Sequence, residues 1–109
     1  MAEAWFVVRA VVADEADRAA FDRWYGDEHL PDAVTAFHAQ AAWRGWSLEN
    51  PSVHTAFYLF GSPQEARAAT SGVALKELVA AFDQAWGERV TRTRDIIEVA
   101  GEIVPTTRS

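Results

Sequence analysis

Ala20-Phe21-Asp22-Arg23-Trp24-Tyr25-Gly26-Asp27 is echoed at Ala81-Phe82-Asp83-Gln84-Ala85-Trp86-Gly87-Glu88. Ala-Phe-Asp opens the match, and an aromatic, a glycine and an acid close it. Each segment lies near the end of a helical pattern. Before the first, Ala16, Ala20, Phe21 and Trp24 recur at helical spacing, and Asp14, Glu15 and Asp17 suit a helix N-terminus. Around the second, Leu75, Leu78, Val79, Phe82 and Trp86 share one stripe. Two similar helices in one short chain point to a duplicated unit.

The strands complete the unit. Trp5 to Val12 is β-branched and aromatic, with Arg9 as its only charge, and reads as a strand buried on both faces. Ala41 to Leu48 and Val53 to Phe60 read as two more strands, joined by the turn chemistry of Glu49-Asn50-Pro51-Ser52. Arg92 to Val104 is expected as the last strand, with a loose tail from about Pro105. Ser62-Pro63-Gln64-Glu65 starts a short helix by a capping box with proline at the first helical position, to stop near Ser71-Gly72. Gly26 and Pro31 mark a break or a kink in the first helix, and Asp32 to Phe37 fits a further short one. The order predicts one α+β domain over residues 1–109, with a ferredoxin-like βαββαβ arrangement and a four-stranded antiparallel sheet.

In a two-layer domain, helices cover one sheet face and water wets the other. Here Trp5, Val7 and Val11 oppose Phe6, Val8 and Val12, and Trp43 opposes Trp46. Both faces are apolar, so a second copy of the chain is the expected cover, giving a dimeric α+β barrel.

Composition narrows the function. The 109 residues are 50% hydrophobic and 24% charged, with a net charge of −6. A nucleic-acid partner, which requires a basic face, is not expected. The absence of cysteine excludes disulfides and thiol chemistry. No run approaches the roughly 20 apolar residues that span a bilayer. No targeting signal is evident, so the expected location is the cytoplasm. Nucleotide fingerprints, phosphate loops and the nucleophile elbow are absent.

The chemistry-bearing residues concentrate in Phe21 to Pro31. A helix continuing through Gly26 places Glu28 on the face of Phe21 and Trp24, and His29 one turn after Tyr25. A carboxylate beside an imidazole tunes an acid–base group, so Glu28 and His29 are the catalytic candidates, with Asp27 as a substitute for Glu28. Trp24, Trp43, Trp46 and Tyr58 are candidates to line an apolar cavity. Arg92 and Arg94 share a strand face and suit a ligand oxygen; Arg44, inside an apolar strand, is a further candidate. His38 and His54 read as surface or edge residues. With His29 they match no metal-ligand spacing, so no metal site is expected.

Tyr25 through Pro31, an aromatic–x–x–x–Glu–His–x–Pro pattern, resembles the helix-end motif of the EthD-like group in the dimeric α+β barrel superfamily. The strands around Trp43-Arg44-Gly45-Trp46 and Phe57-Tyr58-Leu59-Phe60, and the helix through Phe82 to Trp86, fit the same resemblance. It implies His29 at the mouth of a cavity between sheet and helices. The group's activities include cofactor-independent monooxygenation, cyclisation, isomerisation and haem handling.

The expected function is a small enzyme without an organic cofactor, acting on an apolar aromatic or polyketide-like molecule. His29 moves the proton, and Tyr25 or Tyr58 binds a substrate oxygen. A haem pocket is an alternative cofactor reading. The alternative functions are a non-catalytic or stress-associated binding barrel, or a structural dimer with a filled interior.

Overall fold

Ala4–Val12 carries a single charge, and the computed structural model places it at the centre of the sheet as β1. Residues 2–103 and Pro105 are described. Val53–Phe60 forms β3 on one side of β1, and Val90–Glu98 forms β4 on the other. Ala41–Trp46 forms β2, the edge strand beyond β3. The order is β2-β3-β1-β4, all neighbours antiparallel. This is the ferredoxin-like α+β arrangement read from the sequence.

Strand limits differ from expectation in three strands, the first by one residue, since it begins at Ala4 rather than Trp5. The second strand stops at Trp46 rather than Leu48, and the last runs from Val90 to Glu98 rather than from Arg92 to Val104. Pairing with β1 sets both ends of β4, since Val12 faces Val90 and Ala4 faces Glu98. Val104 and residues 106–109 lie outside the described residues, so of the expected tail only exposed Pro105 is described.

One sheet face carries the helices. Arg18–Trp24 is α1 and Leu30–Phe37 is α2; Pro63–Ala69 is α3 and Val73–Ala85 is α4. Asp14 caps a short 3₁₀ turn ahead of α1 by accepting from the Ala16 N–H at 2.9 Å. Ser62 caps α3 by accepting from the Glu65 N–H at 3.1 Å. A left-handed residue, His38, closes α2.

Gly26 and Pro31 do not break the first helix. Tyr25–His29 forms a π-turn, and the Leu30 N–H donates to the Tyr25 carbonyl, five residues back. The wider turn eases the steric demand Pro31 makes on the turn before it. It also changes which side chains face inward. A π-turn advances a smaller angle per residue, so His29 follows Phe21 and Tyr25 onto the buried face.

Phe21 is the hub of the core. It is fully buried, with the rings of Trp24, Tyr25, Trp46, His54, Phe82 and Trp86 all within about 6 Å. On the opposite sheet face Trp43 is 52% exposed, with Phe57 and Ile97 also exposed. Trp5 packs against Trp43 at 5.1 Å and Phe57 at 6.1 Å there.

Candidate active site

The apolar stripe of α4 does not seal onto the sheet. Phe82 and Trp86 are buried, but Leu75, Leu78 and Val79 are only half-buried. Beneath them runs a cleft walled also by Phe6, Val8 and Phe37, with Tyr25, His29, Tyr58, Arg92 and Arg94 as its polar groups. Only about 30 Å³ of it is wide enough for water. A ring-sized ligand therefore requires the first turns of α4 to move outward.

His29 lies on the cleft wall with 9% of its surface exposed. Trp24 stacks on its ring at 4.6 Å and 20°, and Tyr25 and Phe82 meet it edge-on. Burial pushes its pKa down to about 4, and the Arg92 charge adds to the shift. His29 is therefore neutral at pH 7, with a ring nitrogen free to accept a proton.

Tyr25 and Tyr58 meet hydroxyl to hydroxyl at 2.9 Å. Burial pushes the Tyr25 phenol up to about 12 and the Tyr58 phenol up as well. Both stay protonated. One hydroxyl donates to the other, and the second hydrogen remains for a ligand oxygen. Arg92 lies over the Phe82 ring at 4.0 Å and pairs with Asp83 at 3.2 Å.

Of the sequence candidates, the structure brings His29, Tyr25, Tyr58, Arg94 and its strand-face neighbour Arg92 to this cleft. It does not bring Glu28, which is exposed. The π-turn rotates Glu28 off the face it would share with Phe21 in a regular α-helix. Asp27 is exposed as well. Trp24 stands behind His29 rather than in the cleft wall. Trp43 sits on the opposite sheet face, since strand alternation separates it from Tyr58.

Arg44 and Trp46 are held away from the cleft by Asp22, whose carboxylate accepts from both at 2.8 Å. Those two hydrogen bonds, Trp46's first, hold the Asp22 carboxyl below its usual range. A Cβ on residue 26 would lie 2.6 Å from the Arg44 guanidinium, so glycine there permits the close approach.

His54 is a correction: it is fully buried, not at a surface or edge. Its Nε2 faces Arg44 at 3.4 Å. A guanidinium can only donate, so Nε2 accepts and Nδ1 carries the hydrogen. That Nδ1 has no partner among the described residues. Alternation with Ala56, Tyr58 and Phe60 signals the inward face of His54. The β1 register sets Arg92 opposite Ala10 and Arg94 opposite Val8, and both reach the cleft. No group of three His, Asp or Glu among the described residues can hold a metal ion. No described helix is long and apolar enough to cross a membrane.

Solved structures share this fold at low sequence identity. An EthD family protein from Bacillus halodurans is 16% identical, with a TM-score of 0.65 over 95% of this chain and 100% of that one. SnoaB from Streptomyces nogalater, a cofactor-independent oxygenase, is 14% identical, with a TM-score of 0.67 over 97% and 100%. A protein of unknown function from Nitrosomonas europaea is 19% identical, with a TM-score of 0.63 over 98% of each chain. No family model and no curated protein matches the sequence. The chain thus has the ferredoxin-like α+β fold of neighbours that include an EthD family protein and a cofactor-independent oxygenase.

Proposed function

We propose that the protein is an EthD-like, cofactor-independent enzyme of the cytoplasm, acting by proton transfer on an apolar aromatic or polyketide-like molecule. The observation that carries this is one apolar cleft holding a neutral imidazole and a free phenolic hydrogen. The ligand lies under α4, displacing Leu75 and Leu78. His29 takes a proton from an acidic carbon, and the electron pair stays on the substrate as an enolate. Tyr25 or Tyr58 donates a hydrogen bond to the enolate oxygen. The carbanion then adds to dioxygen, whose peroxide takes the proton back from His29 and loses water to leave a carbonyl; or adds to a carbonyl carbon of the substrate, whose oxygen takes that proton; or is reprotonated at another carbon. The residues serve all three. Arg94 and Arg92 favour the negative charge that develops. The cofactor-independent character of SnoaB supports the reading.

The enzyme works as a homodimer. Trp5, Trp43, Phe57 and Ile97 form an apolar patch on the open sheet face, which a second copy covers. A non-catalytic binding barrel is the second reading, favoured by the low basicity of His29.

Anthrone, a planar carbon acid, tests proton transfer common to all three routes. Its methylene exchange in deuterium oxide is followed by NMR, with native mass spectrometry on the same samples to count chains. The expected result is a dimer that accelerates exchange, with the His29→Ala variant about 10²–10⁴-fold slower. The wild-type rate falls as pH drops through about 4, where the base becomes protonated. Exchange equally fast in the variant would leave the binder reading in place of the enzyme.

A further inference from the structure

Beside the cleft lies a wider recess of about 410 Å³. Phe6, Leu75 and Arg94 line both spaces, and Arg67 reaches the recess from α3. We propose that the recess is an anion-binding subsite. The ligand is then an amphiphilic anion, with its ring system under α4 and a carboxylate or similar oxyanion between Arg67 and Arg94. This rests on the reading of the cleft as a ligand site.

Charge distribution makes the case. The chain carries a net charge of −6, yet no carboxylate lines the cleft. The charged groups on its wall are Arg92 and Arg94. Arg44, Arg89 and Arg92 are each tied to an aspartate. The side chains of Arg67 and Arg94, like those of Arg9 and Arg23, have no ion pair or hydrogen bond among the described residues, and of these four only Arg67 and Arg94 line the recess. Both project from different elements into one space. Asp95 is the single acid there, and its carboxylate already accepts from the Ile96 N–H at 2.8 Å. Unpaired guanidinium forks opposite an apolar slot suit a planar oxyanion joined to an apolar ring. An anion seated there also offsets the Arg92 charge that opposes protonation of His29.

Paired probes of equal shape test the subsite: 2-naphthoate and its neutral counterpart 2-naphthamide. Affinities come from titration calorimetry, and the His29 ring signals in NMR report whether the probe enters the cleft. The wild type is expected to favour naphthoate by about tenfold or more. Arg67→Gln, which lines only the recess, should remove most of that preference and leave naphthamide affinity unchanged; Arg94→Gln should remove as much of the preference. Both arginines are exposed, so the variants keep the fold. Equal affinity for the two probes in the wild type, or a preference that survives both substitutions, removes the anion subsite and leaves the cleft reading standing. Binding of neither probe removes both.

Discussion

Two corners under the helices use the same three residue types to opposite ends. Asp22, Arg44 and His54 make one corner, and Asp83, Arg92 and His29 the other. Asp22 and Asp83 occupy matching places in the echoed segments. In both corners burial, and then an arginine, push a histidine down to about pKa 4. The first corner is closed: Trp46 donates to Asp22, and His54 has no exposed surface. The second opens on the cleft, because half-buried Leu75, Leu78 and Val79 leave space above His29. One set of residue types stabilises the fold or presents a base, according to what packs over it.

The largest expected effect breaks both corners together. Phe21→Ala empties the hub that touches His54 on one side and Tyr25 and Phe82 on the other. Urea denaturation should show a loss of about 3–5 kcal/mol. A loss under about 1 kcal/mol would mean that the corners do not share this ring.

Acid acts on both histidines alike, and a substitution separates them. Each has a folded pKa of about 4 against an ordinary 6.5, so the unfolded chain takes up the proton first. Stability is therefore whole above about pH 6.5 and declines as pH falls toward 4, by roughly 3 kcal/mol per histidine. His54→Phe removes the closed corner's share. Its stability should fall by roughly 3 kcal/mol less than the wild type's between pH 7 and pH 4. Parallel curves for the two proteins would show that His54 is not held neutral.

The smallest effect distinguishes the aspartates. Asp22→Asn weakens two hydrogen bonds, from Arg44 and Trp46, and should cost about 1–2 kcal/mol in thermal or urea unfolding. Asp83→Asn touches one pair whose carboxylate is largely exposed, and should cost less than about 0.5 kcal/mol. Equal costs would erase the distinction between a closed and an open corner.

The fold was legible because its signals are local. The capping box at Ser62, alternation along Val53–Phe60 and the echoed helix ends each act within a few residues, and together they order the elements. The candidate site was legible only in part. His29, Tyr25, Tyr58 and Arg94 could be named, but Glu28, Trp43 and Arg44 were grouped with them because sequence spacing cannot show a π-turn or a partner on another strand.

The sequence by itself determined the order of strands and helices, the two apolar sheet faces and the segment where the chemistry gathers. Those depend on side-chain period, caps and turns, which are short-range properties of the chain. Tertiary structure alone decided that His29 rather than Glu28 faces the cleft, that His54 is sealed in, and that Arg44 is tied to Asp22 while Arg94 stays free. The last two depend on which distant surfaces meet, and the first on a helix wider by one residue in a single turn.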